Sequence, residues 1–474
     1  MTTAQSLPPW ITNQTLYQDK SIANHSSRDG QRWVDSSESV GSSSTGTTSS
    51  STASSSNFSS SFSTGNYSGA GGQAKQWPPI PETKKDVNKM MRRARASGQA
   101  LELCLEWIKV CKEQQQQDDS ATEEEEEEDP VRVSMAKQVR RTLKRLAQRG
   151  YPGNQEAQYE LANIYGSGDI GFSQNAQEAC AWYIQASKQN HPEATFRAGM
   201  CFELGIGVKK DYDCAVMYYR KAAKLCHAKS MYRLAIILLQ GYLRQTPQPR
   251  EAVSWLQRAA TNTDESMPPA MHALAMIQLN GQCQHTSLVA DIDFAVALLH
   301  QAADLGYEAS QTTLGELYEQ GAHVKPDDGK SIYYYTLAAE QGAPAAALGL
   351  AGWYLTGSTT PGVLTQSDLE AYLWAKKAAT APIVARDYYL GQDTVCWAVA
   401  KGCFLVAYFA EKGIGMNNQD LEMAKEYYSK AVALGHKSAA DRLCKLESLE
   451  TRNERDDDLE TNNAKSSSPG CIVM

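Results

Sequence analysis

Cys471 is followed by Ile472, Val473 and Met474. A cysteine, two aliphatic residues and a methionine at a carboxyl end make a prenylation box of the farnesyl type. The chemistry is alkylation of sulfur: the Cys471 thiolate is the nucleophile, and the aliphatic pair fits a hydrophobic slot in protein farnesyltransferase. The approach from Asp456 to Gly470 is polar and rich in Ser and Asn, so it can enter an active site in extended form. One lipid chain gives only marginal, reversible membrane binding, and stable residence needs a second signal. The tail does not supply it by charge. Thr451 to Cys471 holds Arg452, Arg455 and Lys465 against Glu454, Asp456, Asp457, Asp458 and Glu460, a balance that an anionic leaflet slightly repels. Cys444 falls on an expected helix and is a poor second acylation site. The second contact is therefore expected to be a membrane protein gripped by the rest of the chain.

No other constellation points to chemistry. His191, His227, His272, His285, His300, His323 and His436 are scattered one by one. Neither H-E-x-x-H nor G-x-x-x-x-G-K-[ST] occurs. The eleven cysteines are single, without C-x-x-C spacing, as expected of a reduced chain. No cofactor, metal or intrinsic catalysis is expected. The net charge of −8 gives no reason to expect nucleic acid. No run of eighteen apolar residues is long enough to span a bilayer.

The elements around these residues differ along the chain. Residues 1–82 are saturated with Ser, Thr, Gly and Asn, most densely from Ser36 to Ser63, and are expected to be disordered, with many hydroxyls open to phosphorylation. Residues 83–112 read as helix, with Leu101, Cys104, Leu105, Ile108 and Cys111 at three- and four-residue steps. Residues 113–130 form an acidic low-complexity insertion with the run Glu123 to Glu128. Its reading as a solvated connection is preferred to a specific acidic docking site. Residues 131–149 return to helix, with Val139, Leu143, Leu146 and Ala147 on one face and Lys137, Arg140, Arg141, Lys144 and Arg145 on the other. Its reading as the wet side of a capping helix is preferred to a contact with anionic lipid.

From 150 to 447 the chain repeats at 35 to 40 residues. A glycine that ends a first helix recurs at Gly168, Gly205, Gly241, Gly281, Gly321, Gly357 and Gly413. Six residues before each stands Ala162, Gly199, Ala235, Ala275, Gly315, Ala351 or Ala407. A second helix carries a bulky residue at Trp182, Tyr218, Trp255, Leu298, Tyr334, Trp374 and Tyr427. Four residues later each has an alanine, from Ala186 to Ala431. Small residues let two backbones approach, the aromatic is expected to fill the space beside them, and the glycine adopts the left-handed conformation that stops the helix. About seven such pairs are expected to stack into an all-α, right-handed superhelical solenoid. The aromatics and glycines are structural on this reading, and binding falls to exposed side chains. The stretch 380–400 lengthens the last repeat and is either an inserted loop or a gene-model artefact. Residues 448–474 form a flexible tail.

The patterns A-x-x-x-x-L-G-x-L-Y-x-x-G and A-x-x-Y-Y-x-x-A-A resemble Sel-one-like repeats, relatives of tetratricopeptide repeats. The clearest copy runs from EASQTTLGELYEQG to KSIYYYTLAA within Glu308 to Ala339. The segments LAGWYLTGS, PGVLTQSDLEAYLWAKKAA and AYFAEKGIG, with the terminal box, are similar to the fungal chitin synthase activator group. The resemblance covers Ala157 to Leu446 and the last four residues. It implies a non-catalytic regulatory subunit that binds, localises and activates a membrane-embedded chitin synthase catalytic subunit at the cytoplasmic face of the plasma membrane, in septum and cell-wall formation. Septum or cytoskeletal anchoring proteins are further implied partners. The rivals are a signalling or quality-control scaffold of the same repeat, or a hydrolase of the cysteine-rich repeat kind. The last would require paired cysteines that this sequence lacks.

Overall fold

The computed structural model describes residues 81–118, 129–148, 153–169, 171–261, 267–280, 291–382 and 392–448, and every regular element among them is helical. The chain divides into a unit ending at Ala179 and a unit beginning at Cys180.

The first unit contains α1 (Lys84–Ala96), α2 (Ala100–Asp118), α3 (Pro130–Gln148) and α4 (Gln155–Ser167). Thr83 caps α1 by accepting from the Asp86 amide. The single helical segment expected over 83–112 is two helices, because Gly98 turns the chain at φ 78° between them. Helix α2 runs on to Asp118, so the start of the acidic stretch continues it. Proline opens α3, where its missing N–H costs no helical bond. Val87, Met91 and Ala94 of α1 and Met135, Val139, Leu143 and Ala147 of α3 are buried. The Gln138 amide donates to Asn88 Oδ1 at 2.7 Å, and the Thr142 hydroxyl approaches Met91 Sδ at 3.5 Å, so α1 and α3 run side by side in the same direction. After α4, Phe172 is buried beneath the Arg140 guanidinium and the Lys144 ammonium.

Helix α5 (Ala176–Lys188) crosses into the second unit. There the pairs are α6 (Pro192–Leu204) with α7 (Tyr212–Lys224), α8 (Ala228–Gln240) with α9 (Pro249–Ala260), and α10 (Pro268–Leu279) with α11 (Ile292–Asp304). They continue as α12 (Glu308–Gln320) with α13 (Asp328–Glu340), α14 (Pro344–Thr356) with α15 (Asp368–Ala379), and α16 (Gln392–Lys412) with α17 (Leu421–Ala433). A final helical stretch covers 437–448. This is an all-α solenoid of tandem helix-turn-helix repeats. Second helices begin at Asp211, Asp291, Asp327, Ser367 and Asp420, each accepting a backbone N–H three residues on. No pair buries its apolar face alone, and neighbours complete it. One core runs without interruption from Ala215 on α7 to Tyr318 on α12.

The stops differ in detail. Gly205, Gly241 and Gly321 close α6, α8 and α12 in the left-handed region, at φ 76°, 72° and 68°. Gly357 after α14 has φ 77° but ψ 165°, which sends the chain outward into a longer connection. Asp328 holds that connection by accepting from Ser358 Oγ at 2.8 Å and from the Thr359 amide at 2.9 Å. Gly281 lies outside the described residues, and α10 closes one residue earlier on Asn280 at φ −80°. Of the irregular stretch 380–400, residues 392–400 are helical and continue directly into the rest of α16, so this half is a lengthened helix and not a loop.

Candidate interaction surface

The small residues of the first helices and the aromatics of the second helices meet, one position away from the expected pairing. A Cβ added at Gly199 would lie 2.8 Å from the Tyr219 ring, and one at Gly315 would lie 2.6 Å from the Tyr335 ring. The fully enclosed side chains are Tyr219, Leu256, Leu299, Tyr335 and Tyr428. The aromatics singled out from the sequence precede these. Trp182, Tyr218, Tyr334, Trp374 and Tyr427 are half-buried, and only Trp255 is buried. Successive helical residues are about 100° apart, so the first of each pair faces the rim of the seam and the second faces its floor. Rim aromatics acquire ring and cation neighbours accordingly. Tyr218 stacks on Phe202 at 5.3 Å, and Tyr334 stacks on Tyr318 at 6.1 Å. Trp374 carries the Lys377 ammonium at 4.5 Å, Tyr427 that of Lys430 at 4.6 Å, and Trp255 the Arg258 guanidinium at 4.6 Å.

The floor tyrosines need a partner for their hydroxyls, and the sequence supplies one two residues before the stop glycine. The Tyr219 hydroxyl donates to Glu203 at 2.5 Å, that of Tyr335 to Glu319 at 2.6 Å, and that of Tyr428 to Glu411 at 2.8 Å. Burial, followed by the Glu203 charge, raises the Tyr219 phenol far above its ordinary range, so it stays a donor. In two of the three cases the next first helix adds a cation. Arg233 donates to Glu203 at 2.7 Å and Arg442 to Glu411 at 3.1 Å. Arg233 stands six residues after His227, which caps its helix, and Arg442 stands six residues after His436. At that place in α14 stands Gly349. A Cβ there would lie 2.6 Å from the Tyr335 ring, so the position is closed to a side chain. Glu319 thus has Tyr335 as its hydrogen-bond donor and no cation paired with it among the described residues. Desolvation, then the like charge of Glu319, push Glu316 one turn earlier above the usual carboxylate range, opposed by Lys401. Gly352, three residues past Gly349, is exposed, and a Cβ there would touch nothing. The first-helix face of α12 and α14 therefore offers a carboxylate pair beside a strip of bare backbone, where α8 and the stretch 437–448 place an arginine.

The histidines serve packing. His227 caps α8 through Nδ1, which accepts from the Ser230 amide, leaving Nε2–H to donate to Glu193 at 2.7 Å. His191 caps α6 in the same manner. His300 sits between the hydroxyls of Tyr334 and Tyr318, at 2.9 and 3.1 Å. Burial pushes His272 down to about 4, so it is neutral beside Ser310. Among the described residues no three His, Cys, Asp or Glu side chains gather as a metal site, and no helix is long and apolar enough to cross a membrane. Cys471, Ile472, Val473 and Met474 lie outside the described residues.

The Sel1 repeat profile matches residues 155–191, 192–225, 228–264, 268–307, 309–342, 344–382 and 400–436, together more than half of the chain. The chain belongs to the Sel1 repeat family. Each of the first six matches takes in one helix pair, and the seventh starts inside α16, whose first residues precede the repeat proper. Among relatives of these Sel1 repeats, chitin synthase regulatory factor 3 of Schizosaccharomyces pombe is 34% identical over 309 residues, covering 64% of this chain and 31% of that protein. Chitin synthase regulator SKT5 of Saccharomyces cerevisiae is 32% identical over 317 residues, covering 66% of this chain and 42% of that protein. The chain thus spans less than half the length of either relative. Among solved structures, c5321, a protective antigen of uropathogenic Escherichia coli with an SLR fold, superposes with a TM-score of 0.54 at 21% identity. That match covers 76% of this chain and 66% of the antigen, and it speaks for the fold alone. The protein is a tandem Sel1 repeat protein related to fungal chitin synthase regulatory proteins.

The Tyr–Glu–Arg interlock escaped sequence reading because its members come from three helices. A signal was available. Glutamate two residues before the stop glycine recurs at Glu203, Glu319 and Glu411, and each time the second helix carries paired tyrosines sixteen or seventeen residues on.

Proposed function

We propose that this chain is a regulatory adaptor that binds a chitin synthase catalytic subunit and holds it, in an active state or at one site, on the cytoplasmic face of the plasma membrane. The observation that carries the reading is the similarity, across the repeat array itself, to two proteins named as regulators of chitin synthase. The array is the part of such a protein that can grip a partner, and a scaffold without chemistry of its own acts through contact. The gripping site is assigned to the first-helix face at Glu316, Glu319 and Gly352. There a basic side chain of the synthase takes the role that Arg233 and Arg442 take within the chain. A farnesyl group on Cys471, transferred by protein farnesyltransferase, would confine the search to the membrane plane and raise the effective concentration of the partner.

The test is deletion of the gene, with chitin synthase activity and cell-wall chitin as readouts, followed by complementation. Wild type should restore both. Glu316→Gln combined with Glu319→Gln should fold normally yet restore neither, with loss of synthase co-purification. Unchanged chitin in the deletion strain would refute the regulatory reading. Full co-purification with the double variant would move the grip elsewhere on the array.

A further inference from the structure

Helix α1 carries six lysines and arginines and one acid, Asp86; α3 carries six and no acid. This concentration stands out in a chain whose net charge is −8. The apolar faces of both helices are consumed by their own core, through Met91 and Val139 among others, so most of the cations are on the outside, with Arg95, Arg132 and Arg140 half-buried. The seam between the helices brings them together. Arg95 reaches across it, donating to Gln138 at 3.2 Å and to Thr142 at 2.7 Å. Arg92 flanks the seam three residues before Arg95, and Arg141 and Arg145 flank it three and seven residues after Gln138, on the same side of α3. Arg92, Arg141 and Arg145 are exposed, and none of them pairs with a carboxylate among the described residues. Burial and then the like charge of Arg145 lower the pKa of Arg95. Folding has gathered like charges that repel one another, a cost that an external anion would remove.

We propose that the paired α1–α3 face is a docking surface for an anionic membrane leaflet. The cations are spread along two parallel helices on long flexible stems. Such a flat field of charges suits a surface whose anions diffuse and gather beneath it. Because the apolar stripes are already buried, nothing inserts into the hydrocarbon. Binding is electrostatic, reversible and screened by salt. It needs neither a lipid on Cys471 nor a synthase, and so stands or falls separately from the regulatory reading.

The experiment uses the full-length chain made without lipid modification and its co-sedimentation with vesicles. Phosphatidylcholine vesicles containing phosphatidylserine should pellet it, pure phosphatidylcholine vesicles should not, and salt near 1 M, where the screening length falls to about 3 Å, should release it. The triple variant Arg92→Gln, Arg141→Gln, Arg145→Gln should lower partitioning roughly a hundredfold. A matched variant in the second unit, Lys209→Gln, Lys224→Gln, Arg250→Gln, removes the same charge and should bind as wild type. Circular dichroism of both variants checks that the helices persist. Equal binding to neutral vesicles, or equal losses in the two variants, would overturn the proposal. So would binding to polyglutamate or heparin without binding to vesicles, which would assign the face to a macromolecular polyanion.

Discussion

Gly349 is held against Tyr335 so closely that a Cβ on the glycine would come within 2.6 Å of the ring. Gly315 presses on the same ring from within its own repeat, again at 2.6 Å. Tyr335 is therefore clamped between two bare backbones, one in each of two successive repeats. Gly315→Ala and Gly349→Ala should each lower stability by about 1–3 kcal/mol, since the ring's atoms cannot yield without breaking its bond to Glu319. Gly352→Ala on the same helix meets nothing within 4 Å and should stabilise by about 0.5–1 kcal/mol through helix propensity. Urea unfolding of the three variants checks the order; similar effects at all three positions would refute the clamp.

The interlock at Glu203 should be worth more than its counterpart at Glu411. Glu203 is 3% exposed, whereas Arg442, which serves Glu411, keeps 38% of its side-chain surface in water. Arg233→Ala takes the guanidinium away from a buried carboxylate that also accepts from the Tyr219 hydroxyl, and should cost about 3 kcal/mol. Arg442→Ala should cost less than about 1 kcal/mol. Thermal unfolding of the pair of variants measures the difference.

Acid should loosen the stack at Glu193. Burial alone would raise this carboxyl, but the hydrogen bond from His227, with the Arg197 guanidinium beside it, holds it at about 2. A depressed carboxyl contributes stability that is fully present above its unfolded pKa and is lost as pH falls toward the folded value. The loss should therefore occupy the window from about pH 5 to pH 2 and amount to about 3 kcal/mol. Glu193→Gln should be less stable than wild type at neutral pH and should show a shallower decline in that window. An unchanged profile would show that the His227–Glu193 contact is not what titrates.

The turn before α8 places Cys226 at φ 61°, a region where a side chain crowds the backbone. The corresponding turns use Gly306, Gly342 and Gly435. Cys226→Gly should raise the unfolding free energy by about 0.5–1 kcal/mol, the relief of crowding exceeding the extra chain entropy of glycine. Denaturant titration under reducing conditions reads this directly, and a loss of stability would contradict it.

The repeat was legible from the sequence because its determinants are local. A stop glycine, a small residue six positions earlier and a helix cap act within one or two turns, and a regular period exposes them. Gly205, Gly241 and Gly321 and the alanines of both helices needed no tertiary information to be found. Which of two adjacent aromatics faces the floor of the seam was decided by tertiary packing. Tyr218 and Tyr219, or Tyr334 and Tyr335, are alike in type and one residue apart, and only the neighbouring helix distinguishes them. The same holds for Gly349, which reads as one more small residue on an apolar helix. It becomes the place where an arginine is absent only when Glu319 and Tyr335 arrive from elsewhere in the chain, because an ion pair is a property of three-dimensional proximity. The basic face of α3 was visible in the sequence, and folding widened it by laying alongside it α1, whose cations were not read there as a stripe.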